Sequence, residues 1–448
     1  MKKIIYLFAF TLLSFLNFDI KAQTYDKSKL DLETCINIAL ENNLTLQRSQ
    51  VNLGISEANL VGNQGQRIPT LNTGLSSGYR WGRSINPVTN LFENNRIGNI
   101  NWFGGTSLTL FAGRQITNSI EQSKLDIQSN IYTVAATQNT ITLNTINFFI
   151  NVVFAKEQLK IAQNQLATTK EQLVVTSKLV DAGSLPLANK LDIQAQNATN
   201  ELEVINAENN LRIAKLNLAQ SMQIPFDNDF DVVTPELSPE DYGLSQKEVD
   251  EIFAIALEFM PEIKSAEVAV ESAEYGVKIA RGGYLPTLSF SGNAFSNYID
   301  QYFMGERPDF RTQMSNNFSY TGNFQMNIPI LSNMRNRSNY QRAKLQKRLS
   351  EIQEVETRNQ LRQDIETAYT NAYAAQQSYQ ASLIRVASLE EAFRIAKQRF
   401  DAGAINFADY QLAQNNFFNS QADLVTSKYT YIFRVKVLDF YLGNPLKL

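Results

Sequence analysis

Residues 317–330 read NFSYTGNFQMNIPI, and aromatic, aliphatic or glycine residues alternate there with polar residues or proline. Strict alternation of this kind predicts a β-strand with one apolar and one polar face. Three fainter stretches of the same kind occur at about 70–82, 98–111 and 287–298. Each could run roughly 10–14 residues, which is enough to cross a bilayer when the strand is tilted. The chain therefore predicts four strands of membrane-spanning length.

Aromatic residues concentrate toward the loop ends of these strands, as in the interfacial girdle of a membrane barrel. They are Tyr79, Trp81, Trp102, Phe103, Tyr298, Phe318 and Tyr320. The loops between the strands, about 82–98 and 299–316, are polar and charged, so we expect them to face the outside. A soluble two-sheet domain with one polar face is the alternative. The polar helices around the strands offer little apolar cover for such a sheet.

The chain also repeats itself once. Residues 38–41, with the sequence IALE, return as 255–258, and the PTL of 69–71 returns as 286–288. Both pairs are 217 positions apart. We therefore predict two collinear structural repeats, the first over 23–230 and the second over 231–448.

Each half has the same order of elements: a helical segment, two strands, a very long helix and a shorter helix. A helix of about 65 residues would extend roughly 100 Å. The helix surfaces are rich in Gln, Asn, Ser, Thr and Ala, which favours long antiparallel pairs with a narrow apolar seam. We expect a second face of these helices to be exposed to water, as in the wall of a water-filled tube. The predicted helices are 31–66, 112–181, 187–222, 244–283, 332–400 and 407–440.

The break between the long and the short helix is sharp in both halves. The tripeptide Asp-Ala-Gly at 181–183 returns at 401–403, this time 220 positions later. The glycine of each copy stands where a left-handed helix C-cap is expected. Asn406 can cap the next helix, and Asp409 follows at the third position, close to a capping box. Each half therefore predicts a helical hairpin with a tight tip.

The first 22 residues predict a secretory signal peptide. Lys2 and Lys3 precede a short apolar stretch, and a small residue, Ala22, ends the segment. An N-terminal membrane anchor is the alternative, but the apolar stretch is short for a span. After this segment no apolar run of about 20 residues occurs.

Composition excludes several classes of function. The chain has no histidine and one cysteine, Cys35, so it lacks the commonest general base and cannot form an intrachain disulfide. We predict no catalytic residue, no metal site and no cofactor. Carboxylate-only chemistry stays open in principle, although no pair of acids stands out. With a net charge of −3 and no basic block, the chain does not indicate a nucleic-acid partner.

The strand count decides how a membrane sheet could close. Four strands are too few, because bacterial barrels start at eight, and an open sheet edge in lipid is not tolerated. The chain must therefore complete the barrel with copies of itself in closed cyclic symmetry. Two copies would form a barrel filled by side chains, whereas three would form twelve strands with room for a channel.

These features together resemble the TolC-like outer-membrane efflux protein family. The resemblance rests on the paired PTL strand entries, the paired Asp-Ala-Gly tips, and Leu442-Gly443-Asn444-Pro445 with its partner near Met222 to Pro225. It implies a mainly α-helical fold with a membrane β-barrel portion, in which a homotrimer shares a twelve-stranded barrel and a periplasmic helical tunnel. It also implies residence in the outer membrane. The implied partners are a periplasmic membrane-fusion adaptor and an inner-membrane pump of the RND or ABC type.

The resemblance also assigns roles to residues of the tips. The implied adaptor-docking residues are Asp181, Ala182, Gly183, Ser184, Leu185, Asp401, Ala402, Gly403, Ala404 and Ile405. The implied periplasmic gate residue is Asp409. A second acidic residue can occur in the family three positions after the first, where this chain has Leu412. We therefore expect the aperture to carry fewer negative charges than one lined by two rings of acidic residues. Asp409 as a simple first-turn acid, favoured by the helix dipole, is the alternative.

The main hypothesis is a passive exit duct for efflux or secretion, with energy supplied by the pump. A periplasmic coiled-coil tether with a small β module is the alternative, and it predicts no pore. An enzyme is disfavoured by the missing nucleophile–base set.

Overall fold

The structure is a computed structural model, and it describes residues 29–85, 90–227, 229–235, 239, 243–244, 247–300 and 309–444. The predicted signal peptide at 1–22 and Pro445 lie outside the described residues. Within the described ranges, no helix combines the length and the apolar character needed to cross a membrane.

Four antiparallel strands form one curled sheet, in which each strand lies beside its neighbour in the chain. The strands are β1 (Thr70–Ile85), β2 (Phe92–Ala112), β3 (Thr287–Asp300) and β4 (Ser319–Asn327). All four predicted strands are present. The predicted loop at 82–98 is wrong at both ends, because the β1–β2 ladder continues to the pair Ile85 and Phe92. Among the described residues, β1 and β4 each pair with one strand only, so they are the two edges of the sheet.

The prediction around the fourth strand is wrong in two details. β4 ends at Asn327 rather than 330, because Pro329 has no backbone N–H to continue a ladder. The end of the predicted loop at 299–316 is a short helix. Asp309 caps it by accepting a hydrogen bond from the Thr312 backbone N–H at 3.2 Å. An aspartate at the N-cap position is a helix-start signal, and the polar composition of the loop obscured it.

One face of the sheet is apolar, and the predicted girdle needs one correction. Phe290 and Phe324 lie opposite each other on the apolar face, with ring centroids 5.1 Å apart. Successive strand residues point to opposite faces, so Phe103 cannot share a face with Trp102. Its ring instead covers Gly74 on the polar face, where a Cβ at Gly74 would overlap the ring.

The helices occur in two series of equal lengths. The first series is α1 (Leu32–Asn42), α2 (Leu44–Gly65), α3 (Gln115–Asp181) and α4 (Leu187–Ser221), of 11, 22, 67 and 35 residues. The second is α5 (Val249–Phe259), α6 (Pro261–Gly282), α8 (Arg335–Asp401) and α9 (Phe407–Tyr441), again of 11, 22, 67 and 35 residues. Between them the short α7 (Phe310–Asn316) precedes β4.

Two predicted single helices are each two helices. The stretch 31–66 breaks at Asn43, whose side chain accepts hydrogen bonds from the backbone N–H groups of Thr45 and Leu46 and so starts α2. The stretch 244–283 breaks before Pro261, which cannot continue the ladder of the preceding helix but is well suited to a first helical position. The sequence pattern missed both breaks because the apolar spacing continues across them.

The described residues divide into two compact units, and each unit takes segments from both halves of the chain. The first comprises the described residues within Met1–Ala39, Thr145–Leu237 and Phe393–Val425. In this unit Asp231 forms ion pairs with Lys156 at 2.8 Å and Lys215 at 2.9 Å. Burial raises the pKa of Asp231, but hydrogen bonds from the two ammonium groups and from the Val232 backbone outweigh it, so the pKa is lowered overall. The segment after α4 is thereby fixed to α3 and α4.

The second unit comprises the described residues within Leu40–Asn144, Ser238–Ala392 and Thr426–Leu448, and it contains the sheet. Its core is formed by α5, α6, α8 and α9, with Ile252, Met260, Ile365 and Leu438 all fully buried. Burying such side chains stabilises a fold by about 1.5–3 kcal/mol each.

Two glycines allow the start of α3 to approach the end of α6 within this unit. Gly113 adopts a left-handed φ of +58°. A Cβ at Gly113 would overlap the carbonyl oxygen of Gly282, and a Cβ at Gly282 would lie 2.6 Å from the carbonyl oxygen of Gly113. The backbones therefore touch directly where strand β2 turns into helix α3.

We expect Gly113→Ala to destabilise the protein by about 1–3 kcal/mol, since the added carbon overlaps backbone atoms that cannot move independently. The measurement is the melting temperature of the detergent-extracted protein. Gly276→Ala is the control, because a Cβ there would meet only the amide of Gln122 at 3.5 Å. Equal melting temperatures for the two variants would contradict the close backbone contact.

Candidate functional site

The first hairpin tip closes α3 with a left-handed glycine. Gly183 has a φ of +73°. Its backbone N–H donates to the Val180 carbonyl at 2.9 Å, and the Ser184 N–H donates to the Leu179 carbonyl at 2.8 Å. This pair of hydrogen bonds is the Schellman motif, which satisfies the last carbonyl groups of the helix. The predicted C-cap is confirmed.

The second tip repeats the same geometry at the end of α8. Gly403 has a φ of +67°. The Ala404 N–H donates to the Arg399 carbonyl at 2.7 Å, and the Gly403 N–H donates to the Phe400 carbonyl at 2.9 Å. The predicted cap of the next helix is also confirmed, because the Asn406 side chain accepts a hydrogen bond from the Asp409 N–H at 2.8 Å.

The residues at the turn of each tip are exposed. This holds for Asp181 to Ser184 and for Asp401 to Ala404, whereas Leu185 and Ile405 are half-buried. No heavy atom lies within 4 Å of a Cβ built at Gly183 or Gly403. Asp181 forms a weak exposed ion pair with Lys190 at 3.5 Å. The tips therefore offer short, mostly uncovered surfaces on rigid helix ends.

A cleft of about 670 Å³ brings residues of both tips together. Ser184 and Leu185 of the first tip and Asp401, Gly403 and Ile405 of the second line it. The cleft also has apolar walls and charged residues that the sequence analysis did not single out. These are Val175, Leu179, Phe400, Phe407, Glu171 and Lys397.

Aromatic rings anchor the second hairpin. Phe400 stacks on Tyr410 with centroids 4.9 Å apart, and Phe393 stacks on Phe417 at 5.5 Å. Burial, with a contribution from the charge of Asp401, raises the pKa of Tyr410 to about 12, so its hydroxyl stays neutral. This cluster was missed, although Phe393 and Phe400 are seven residues apart on α8, and Phe407 and Tyr410 are three apart at the start of α9. Both spacings are typical of one helix face.

Neutral polar side chains lie inside the first hairpin and also join it to the second. Asn200 is buried and donates to Thr169 Oγ1 at 2.7 Å, and it accepts from Gln196 Nε2 at 2.9 Å. Gln196 in turn accepts a hydrogen bond from Gln411 of α9. The predicted narrow apolar seam is thus interrupted by amides. The contact between Gln196 and Gln411, which are only half-buried, exchanges readily with water, because a net hydrogen bond contributes only about 0.5–1.5 kcal/mol.

Asp409 lies on the exposed side of α9. Together with Leu412, which is 61% exposed, it belongs to a stripe at helical spacing that continues with two neutral amides, Asn416 and Asn419. The opposite side of the helix is buried at Tyr410. The structure therefore joins Asp409 and Leu412 on one surface and separates both from the aromatic cluster.

The single cysteine of the chain is not suited to nucleophilic chemistry. Cys35 is fully buried, and burial, with a contribution from Asp31, raises the pKa of its thiol to about 12. A thiol of that pKa is a poor nucleophile at neutral pH. Among the residues that the structure describes, no three carboxylate or thiol side chains come together as a metal site.

Comparison with known proteins places these features in a family. The model of the family described as "Outer membrane efflux protein" matches residues 35–222 and 254–444, and so covers most of the chain and both hairpins.

Individual relatives are distant but extensive. "Outer membrane efflux protein BepC" of Brucella suis is 20% identical over 396 residues, which cover 88% of this chain and 81% of that protein. "Proteases secretion protein PrtF" of Dickeya chrysanthemi is 20% identical over 62% of this chain and 59% of that protein. The crystal structure of the outer membrane protein VceC from Vibrio cholerae aligns with a TM-score of 0.77 at 16% identity, covering 93% of this chain and 97% of that one. The structural likeness shows the fold.

Proposed function

The chain belongs to the outer membrane efflux protein family, and we propose that three copies of it form one exit duct for efflux or secretion. The chain is an outer-membrane channel protein. The single observation that carries the proposed architecture is the four-stranded sheet with an apolar face and two edges, β1 and β4.

The lengths of the strands support a shared barrel. β1, β2 and β3 have 16, 21 and 14 residues, more than the 9–11 that a tilted strand needs to cross a bilayer. Four strands do not close a barrel by themselves, and edges are not tolerated in lipid. Three copies would supply twelve strands, enough for an open lumen.

The helices support a long periplasmic tunnel. At 1.5 Å per residue, each of the 67-residue helices α3 and α8 extends roughly 100 Å. The equal lengths of the two helix series support two structural repeats, at 23–230 and 231–448. Each copy would thereby contribute two equivalent segments to the tunnel wall.

The hairpin tips are the proposed docking site for a periplasmic membrane-fusion adaptor, which would connect the duct to an inner-membrane pump of the RND or ABC type. Support comes from the exposure of residues 181–184 and 401–404 and from the cleft between the tips. The names of BepC and PrtF indicate efflux for the former and protease secretion for the latter, so both kinds of cargo remain candidates here.

Asp409 is the proposed gate residue at the periplasmic entrance. Three copies of its carboxylate around an aperture would favour cations, whereas the adjacent Leu412 would make the ring less charged. The neutral amide contacts between the hairpins support a gate that opens when one hairpin moves, since replacing those hydrogen bonds with bonds to water costs little free energy.

A periplasmic tether with a small β module is disfavoured, because the family model covers the strands as well as the helices. The duct and the tether differ in one measurable property. We expect the purified, detergent-extracted protein to conduct ions in a planar bilayer, since the tunnel is water-filled. Heat-denatured protein is the control. A correctly folded protein without conductance in any state would contradict the duct.

Gly403→Val should impair efflux or secretion that depends on the adaptor, while the trimer stays intact. A β-branched residue at a φ of +67° costs about 1–3 kcal/mol and distorts the tip. Resistance of cells to exported compounds measures the effect, and a native gel measures the trimer.

Gly403→Asn is the matched control, because asparagine tolerates the left-handed region and should retain most of the activity. Full resistance with Gly403→Val would contradict the assignment of this tip as the docking site.

A further inference from the structure

Two arginines lie on the apolar face of the sheet, at the end of the β1–β2 hairpin that is opposite to helices α2 and α3. They are Arg83 on β1 and Arg96 on β2, and both are exposed. The guanidinium carbon of Arg83 is 4.7 Å from the centroid of the Phe92 ring, and that of Arg96 is 4.9 Å from the centroid of the Tyr79 ring. Because Tyr79 belongs to the aromatic girdle, both arginines share a face with the girdle.

The strand geometry places both arginines at the upper limit of the apolar face. On β1 this face runs from Leu71 to Trp81, which are both exposed and ten positions apart. Ten residues extend about 33 Å along a strand, or roughly 25 Å along the membrane normal at a tilt of about 40°. That is about the height of the apolar band of an outer-membrane barrel. Arg96 lies opposite Trp81, and Arg83 is two residues beyond Trp81.

This height corresponds to the headgroups of one leaflet. An arginine on the lipid-facing side of a barrel is strongly destabilising at the midplane of the bilayer and almost neutral at its interfaces. In the proposed duct the long helices extend into the periplasm from the other end of the sheet. The two arginines therefore lie at the level of the outer leaflet, where lipid A, the membrane anchor of lipopolysaccharide, carries its phosphate groups.

The stacked guanidiniums are arranged to bind such a phosphate. Stacking occupies the flat side of each guanidinium, and it leaves the N–H groups at the rim free to donate. Two parallel N–H groups match the oxygens of a phosphate. Arg83 lies opposite Asn94, two residues from Arg96, so the two arginines are diagonal neighbours about 7–8 Å apart. One lipid headgroup can therefore reach both.

The charges on this face favour an anion. Among the described strand residues of the apolar face, the charged ones are Arg83, Arg96 and Asp300. Glu93 is an odd number of positions from Arg96 and so lies on the polar face. Asp300 follows Arg83 by 217 positions, which is the shift between the two repeats. The second hairpin therefore has an acid where the first has an arginine, and each chain has one such pair.

We propose that Arg83 and Arg96 bind a phosphate group of lipid A, and that each chain holds one lipopolysaccharide molecule at the outer rim of the barrel. The proposal rests on the proposed shared barrel, which places this face in lipid. Pairing between strand edges leaves the faces of a sheet uncovered, so the site stays accessible in a trimer. The exposed ring of Trp81, 6.0 Å from that of Tyr79, provides apolar surface for the acyl chains below the phosphate.

Native mass spectrometry of the full, processed chain in a mild detergent tests the proposal, with diphosphoryl lipid A as the probe. The wild-type trimer should bind three molecules, one for each chain. The double variant Arg83→Gln with Arg96→Gln should bind at least about tenfold more weakly, because glutamine has neither the charge nor the paired donors of arginine.

A matched control and two further probes define the site. Arg80 lies opposite Ile97 and on the polar face of the same hairpin, so Arg80→Gln should bind lipid A as the wild type does. Lipid A without its phosphates should bind the wild type as weakly as the double variant binds intact lipid A. Phosphatidylglycerol should also bind more weakly, because its phosphodiester carries one charge whereas a phosphate monoester carries about 1.5–2.

Conductance and trimer mass, measured on the same samples, separate this proposal from the duct. Equal lipid A binding by conducting trimers of the wild type and the double variant would overturn the lipid site while the duct stands. An equal loss of binding in Arg80→Gln, or equal binding of phosphatidylglycerol, would do the same. A protein that neither conducts nor associates would overturn both.

Discussion

Backbone hydrogen bonding at the two edges of the sheet is the constraint on which the rest of the structure depends. β4 is nine residues long, and its outer edge carries N–H and C=O groups that have no water to bond with in lipid. Each unsatisfied group costs several kcal/mol there, so an open edge costs on the order of tens of kcal/mol. No choice of side chains offsets that cost. In the proposed duct, the opposite sheet edge of a second copy of the same chain supplies the missing hydrogen-bond partners.

The long helices are polar because little of their surface is buried in a core. In the described part of the chain, the cores are small clusters, such as the one around Ile252 and Ile365, and much of the 67-residue helices faces water or other helices. The second hairpin is held by stacked rings around Phe400 and Tyr410, whereas its contact with the first hairpin includes the amides of Gln196 and Gln411. The second hairpin is thus rigid internally and is joined to the first by hydrogen bonds that water can replace. Such a hairpin is suited to move as one rigid body when the proposed gate opens.

Features set by local chemistry could be predicted from the sequence. The alternation at 317–330 predicted β4, and the glycines of the two tips predicted left-handed caps, because each signal depends on neighbouring residues alone. The break at Asn43 and the helix Phe310–Asn316 were missed, because apolar spacing and polar composition hid their caps. Phe103 lies on the polar face of the sheet, away from the other aromatic residues, because successive strand residues point to opposite faces. The cleft between the tips forms only when segments that are distant in the sequence pack together. Neither is visible before the chain is folded.

The number of chains in the purified complex tests the central claim most directly, since the claim is that the sheet of one chain cannot close by itself. Native mass spectrometry of the complex, extracted from membranes in a mild detergent, counts the chains without reference to any partner. The account predicts a single dominant species with three times the mass of the processed chain. A monomer or a dimer as the dominant, folded species would contradict it.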